Sequence, residues 1–129
     1  MRGAKISAVM ALSLALSLAP SACDWGPRGP GQLRGIVSSG LVRVGAVVLE
    51  IRGPGVQGFT EAGQTRVFFA ETQTDVDRVV LVAANPERIR FRVAMDDVRS
   101  PALTVSTVEA VDGNNEPIAV SGIVVELFR

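Results

Sequence analysis

The chain has 129 residues, enough for one domain, and balances 13 basic against 13 acidic side chains. It contains no histidine, no tyrosine and a single cysteine, and its only lysine is Lys5. This composition excludes a Ser-His-Asp triad, a histidine-based zinc site, an internal disulfide, and the basic excess of a nucleic-acid binder.

The first elements read as an address. Arg2 and Lys5 precede an apolar run from Ile6 to Ala19, and the small residues Ser21 and Ala22 close it. That is the three-part layout of a secretory signal, and the run is shorter than the roughly 20 residues that span a bilayer. Leu18-Ala19-Pro20-Ser21-Ala22-Cys23 resembles a bacterial lipobox, with Pro20 where that pattern usually has an aliphatic residue. The resemblance implies cleavage before Cys23 and lipidation of its thiol, which would anchor the chain to a membrane. Asp24 resembles the retention signal of some inner-membrane lipoproteins in Gram-negative bacteria. Ordinary cleavage to a soluble secreted protein and an uncleaved anchor helix are the competing readings. The expected organisation is a leader over 1–22, a Pro/Gly-rich tether over 23–31 containing Trp25, and a domain over 32–129. Without Arg2 and Lys5, 11 basic residues face 13 acidic ones, so no polybasic membrane patch is expected.

From Gln32 onward β-branched residues dominate, and Gly, Pro, Asn and Asp punctuate at short intervals. The pattern predicts strands at 32–38, 42–52, 57–60, 65–71, 76–83, 89–95, 103–111 and 118–128. About eight strands in a single all-β sandwich is the expected fold class. Ile89, Phe91 and Val93 alternate with Arg88, Arg90 and Arg92, which puts the apolar set on a core face. Val47, Leu49 and Ile51 alternate with Glu50 and Arg52 in the same way. Val79-Val80-Leu81-Val82 has no polar interruption and predicts a central strand covered on both faces. In the last segment Ile118 and Val120 keep one phase while Ile123, Val125 and Leu127 keep the other, so a bulge is expected at Ser121-Gly122. Asp112-Gly113-Asn114-Asn115 predicts a hairpin joining the last two strands.

The run Gly45-Ala46-Val47-Val48-Leu49-Glu50-Ile51, with the later Arg-Val-Val-Leu-Val and Ile-Arg-Phe-Arg-Val strands, resembles cohesin-type β-sandwiches. The likeness covers 32–128 as a strand pattern and implies an architecture that docks partner modules at a cell surface. It transfers no binding residue. An immunoglobulin-like sandwich fits the same pattern.

Few constellations carry chemistry. Ser38 and Ser39 have no base to activate them. Asp75 with Asp77, Asp96 with Asp97, and Asp112-Gly-Asn-Asn-Glu116 offer hard oxygens. The last of these has no glycine after it and no distal glutamate, so it reads as a polar turn. Asp75 and Asp77 read as a solvated strand edge. Arg88, Arg90 and Arg92 form a row of cations about 7 Å apart, a candidate contact for an anion or a partner. Alternatively, they pair across strands with Glu109 or Glu126. Of Phe68 and Phe69, one ring must point away from the other and is the best candidate for an exposed aromatic contact.

These features point to an exported domain, lipid-anchored through Cys23, that binds or presents something at the cell envelope without catalysis, cofactor or metal. A protein is the expected partner and nucleic acid is not. A carbohydrate-binding module is the first alternative, and an exposed aromatic platform would favour it. A carboxylate-dependent hydrolase is the second, and would need two acids converging in a cleft.

Overall fold

A computed structural model describes residues 28–40, 42–84, 88–99 and 103–129. The leader, Cys23 and Trp25 lie outside the described residues. Eight strands follow in chain order: β1 (Gly31–Ser39), β2 (Val44–Arg52), β3 (Val56–Ala62), β4 (Thr65–Gln73), β5 (Val76–Ala83), β6 (Ile89–Met95), β7 (Thr104–Asp112) and β8 (Ile123–Phe128). They build two four-stranded antiparallel sheets, β3-β6-β1-β8 (sheet I) and β4-β5-β2-β7 (sheet II). The protein is a β-sandwich.

Period-two alternation decides which side chains meet between the sheets. Val37, Ile89, Phe91 and Val93 from sheet I pack with Val47, Leu49, Ile51, Val79 and Leu81 from sheet II, each at most 1% exposed. Burying a side chain of this size is worth about 1.5–3 kcal/mol, so this layer is the main reason the sheets stay stacked. Only β4 and β5 are consecutive strands that neighbour each other in one sheet; every other link between described strands crosses to the opposite sheet. The turn at Gly63-Gln64 joins β3 and β4, which are edge strands of opposite sheets. At that corner Phe59 meets Phe69 at a ring separation of 5.2 Å, and the buried Thr65 hydroxyl accepts a hydrogen bond from the Arg90 backbone N–H at 3.1 Å.

β5 and β6 have the bounds that the sequence pattern predicts, and β1 starts at Gly31. Several local expectations are corrected. No bulge interrupts the last strand: β8 begins at Ile123, and a 3-10 turn over Val120–Gly122 precedes it. Pro117 still bridges Val111, and the Ile118 N–H donates to the Ala110 carbonyl at 2.9 Å, so this segment is tied to β7 before the chain crosses to sheet I. The phase of the apolar residues flips because the chain changes sheets. For the same reason the turn after Asp112 does not join the last two strands as a hairpin, since β7 and β8 belong to different sheets. A register irregularity lies instead in β7, between the pairs Val48↔Glu109 and Leu49↔Thr107, with Val108 as the extra residue.

β5 is an interior strand of sheet II, yet it is not covered on both faces. Val79 and Leu81 are fully buried, whereas the outward Val80 and Val82 are only half-buried beside their cross-strand neighbours. Asp77 is also corrected. It is no solvated edge residue: it shares the inward phase of Val79 and is 8% exposed.

Candidate functional site

β6 places its inward residues in the core and turns Arg90 and Arg92 outward, both exposed. Antiparallel pairing supplies their neighbours. Arg92 lies opposite Arg34 on β1 and Thr60 on β3, while Arg90 lies opposite Ile36 on β1 and Ala62 on β3. Beyond β1, Phe128 of β8 is opposite Arg34 and Glu126 is opposite Ile36. The outer face of sheet I therefore carries three guanidinium groups in two adjacent rows, with a phenylalanine and a single glutamate along the β8 margin.

None of Arg34, Arg90 and Arg92 forms an ion pair or a side-chain hydrogen bond among the described residues. The carboxylates that the sequence offers as partners are misplaced. Glu109 sits on β7, in the other sheet, and Glu126 is separated from β6 by the whole of β1. Like charges directly opposite each other disfavour a strand pair. Arg34 facing Arg92 is thus a small standing cost that an anion between them would remove.

The three arginines line an open groove of about 420 Å³, with Ile36, Ala62 and Phe128 as its apolar part. Gly35, Gly63 and Phe91 complete it. Gly35 suits this position: a Cβ here would come within 2.4 Å of the Phe91 ring, which is itself 1% exposed, so the ring would have to shift within the core. The groove thus offers forked N–H donors beside an apolar wall, a combination suited to carboxylate groups carried on a partly apolar chain.

Of the predicted row, Arg90 and Arg92 share the groove and Arg88 does not. Arg88 precedes β6 and lines a separate depression of about 260 Å³ that also involves Arg43. Arg34 takes the third place. Sequence reading missed it, although the alternation Gln32, Arg34, Ile36 against Leu33, Gly35, Val37 marks it as outward; only the β1–β6 register brings it to Arg92.

Other charged groups are engaged locally. Arg52 donates to Glu50 at 2.8 Å from Nε and 2.5 Å from Nη2, and Arg78 Nη2 donates to the second Glu50 oxygen at 3.2 Å. These bonds, Arg52 first and then Arg78, hold the Glu50 carboxyl below its ordinary value. Asp97 accepts from the backbone N–H groups of Arg99 at 2.9 Å and Gly29 at 3.1 Å, which lower its pKa in that order and fasten the segment before β1. Asp112 accepts from the N–H groups of Asn114 and Glu116 at 2.8 and 2.9 Å, so its carboxylate closes the turn it begins. Asp77 behaves oppositely. Burial pushes its pKa up, assisted by Glu71, which faces it across the β4–β5 pair, and by Asp75. Glu71 and Asp77 face each other across β4 and β5, but neither lines the groove at Arg34 or the depression at Arg88. Among the described residues, no three His, Cys, Asp or Glu side chains gather to hold a metal ion.

The two adjacent phenylalanines are both exposed, Phe68 at 57% and Phe69 at 50%. Phe69 points inward at the open edge and leans on Phe59, while Phe68 points outward opposite Val80. Phe128 is exposed on the opposite sheet, so these outward rings make no common platform.

No family model, curated protein or solved structure matches this chain.

Proposed function

We propose that the protein is an exported, lipid-anchored, non-catalytic binding domain of the cell envelope that docks an acidic protein segment on the outer face of sheet I. The observation that carries this reading is the set of three outward guanidinium groups, Arg34, Arg90 and Arg92, around one groove without a carboxylate partner among the described residues. An extended chain presents same-side residues about 7 Å apart, the same interval as Arg90 to Arg92, so acidic residues at alternate positions would meet both. Arginine forks take carboxylates two N–H groups at a time, and Ile36 and Phe128 suit the apolar residues of such a segment. Export and anchoring rest on the leader and on Cys23, with the Pro/Gly-rich stretch holding the domain off the membrane.

The test uses the chain expressed in full and a fluorescent oligoglutamate peptide, with anisotropy as the readout. Binding should weaken at least tenfold in Arg90→Glu and in Arg92→Glu, and should fall steeply with added salt. The control Arg43→Glu should bind as the parent does. Equal affinity in all four proteins would refute the docking face. Binding of a neutral glycan in place of the peptide would move the reading to carbohydrate recognition. Intact mass tests the anchor separately, because a mature chain without acyl mass on Cys23 would remove it.

A further inference from the structure

The outer face of sheet II differs from that of sheet I. Reading across β4, β5, β2 and β7, one row is Arg66, Val82, Ala46, Val111 and the next is Phe68, Val80, Val48, Glu109, with Val108 beside Glu109. The third row is Ala70, Arg78, Glu50, Ser106. Six adjacent positions in the first two rows are thus apolar, and both margins of the second row are exposed: Phe68 at 57% and Val108 at 44%. An apolar sheet face of this kind marks an interaction surface.

The arrangement of the rows identifies the occupant. We infer that this face docks a second copy of the same chain, face to face, about a two-fold axis running parallel to the strands between β5 and β2. Such an axis exchanges β4 with β7 and β5 with β2 while keeping every row level. Val80 of one copy then covers Val48 of the other and Val82 covers Ala46, while at the solvent-facing margins Phe68 falls on Glu109, beside Val108, and Arg66 falls on Val111. Arg78 falls on Glu50 of the second copy. Arg66 and Glu109, which form no ion pair among the described residues, stand one row apart across the interface at both margins, about 7 Å along the strands, a span that an arginine side chain bridges. Each contact occurs twice, as an isologous interface requires.

A two-fold axis across the strands at the second row fails at the centre of the face and sets Glu109 against its own copy. It would lay Val82 on Arg78 and Ala46 on Glu50, burying charges against apolar groups, which is costly. The area is sufficient. β2, β4 and β7 have nine residues each. Four strands spaced by about 4.8 Å and roughly 30 Å long present on the order of 580 Å² per copy. Two such faces bury close to 1,200 Å², the lower end for a specific association. The dimer is therefore reversible, and it leaves the arginine groove on sheet I facing outward on both copies.

The experiment is cross-linking in cells that express the full chain. One copy carries Val48→Cys and a differently tagged copy carries Val80→Cys; a short bismaleimide is added, and cells with no engineered cysteine give the Cys23 background. The mixed 48–80 product should exceed the 48–48 and 80–80 products several-fold. Phe68→Glu should abolish it, while Val124→Glu on sheet I should leave it intact. Arg66→Glu and Glu109→Arg should each reduce it, and the two together should restore it. Phe68 is already exposed, so a variant with unchanged melting temperature and circular dichroism separates lost association from lost folding. Absence of the mixed product, equal yields of all three products, or insensitivity to Phe68→Glu would overturn the inference. So would a product that contains a different protein.

Discussion

Replacing Arg34 with glutamate should stabilise the domain and at the same time remove its proposed function. Arg34 and Arg92 are direct cross-strand partners on an exposed face, so their side chains start about 5 Å apart. In water, two unit charges at that distance interact by about 0.8 kcal/mol, and screening at physiological ionic strength cuts this roughly in half. Reversing one charge replaces repulsion with attraction, so the total change is about 0.8 kcal/mol. Arginine side chains can splay apart, which makes this an upper bound. For a domain of about 100 residues it corresponds to a rise in melting temperature of roughly 4 °C. Differential scanning calorimetry on the parent, Arg34→Gln and Arg34→Glu should give an ordered series, with glutamine in between. At 1 M salt, where the screening length is about 3 Å, most of the difference should vanish. Affinity for oligoglutamate should fall in the opposite order. If Arg34→Glu melts below the parent at low salt, or if the shift survives 1 M salt, the two arginines do not face each other as described.

Further outcomes follow from the packing and the titrating groups. Gly35→Ala should cost about 1–3 kcal/mol in chemical denaturation, because the added carbon meets the buried Phe91 ring at 2.4 Å; a change below about 0.5 kcal/mol would show that the ring can yield. Asp77 has a folded-state pKa raised above its ordinary value of 3.8, so the folded protein binds more protons than the unfolded chain just above that value. Stability should therefore fall as pH rises from about 3.8 through the raised pKa, and Asp77→Asn should gain stability at pH 7 but not at pH 3. Glu50 and Asp97 have lowered values, so their contributions are present above the ordinary values of 4.5 and 3.8 and disappear as pH falls through the folded ones. Glu50→Gln should accordingly flatten the acid limb of a stability–pH profile, and an unchanged limb would mean that the Arg52 and Arg78 bonds add nothing in solution.

The strand sequence of this protein was legible because each segment states its own period. Ile89, Phe91 and Val93 alternate with arginines, and a strand with that pattern can bury only one face, whatever it pairs with. Runs of β-branched residues broken by Gly, Pro and Asn set most strand bounds to within a residue or two, and the same local chemistry made the turn at Asp112 readable. These facts require no knowledge of partners. The absence of histidine, and of lysine beyond Lys5, was equally readable and excluded whole chemistries at once.

Pairing was not legible, because it is a property of residues far apart in the chain. That Arg34 stands opposite Arg92, that Glu109 and Glu126 are out of reach of β6, and that Asp77 points inward all depend on sheet membership and register. The phase flip after Val120 shows the limit most clearly: a bulge and a change of sheet leave the same mark on the sequence, and only the tie of Pro117 to β7 separates them. The sequence by itself determined which side chains turn outward on each strand. The tertiary structure decided which of those outward side chains share a face, because long-range hydrogen-bond register, not local preference, sets the distance between their charges.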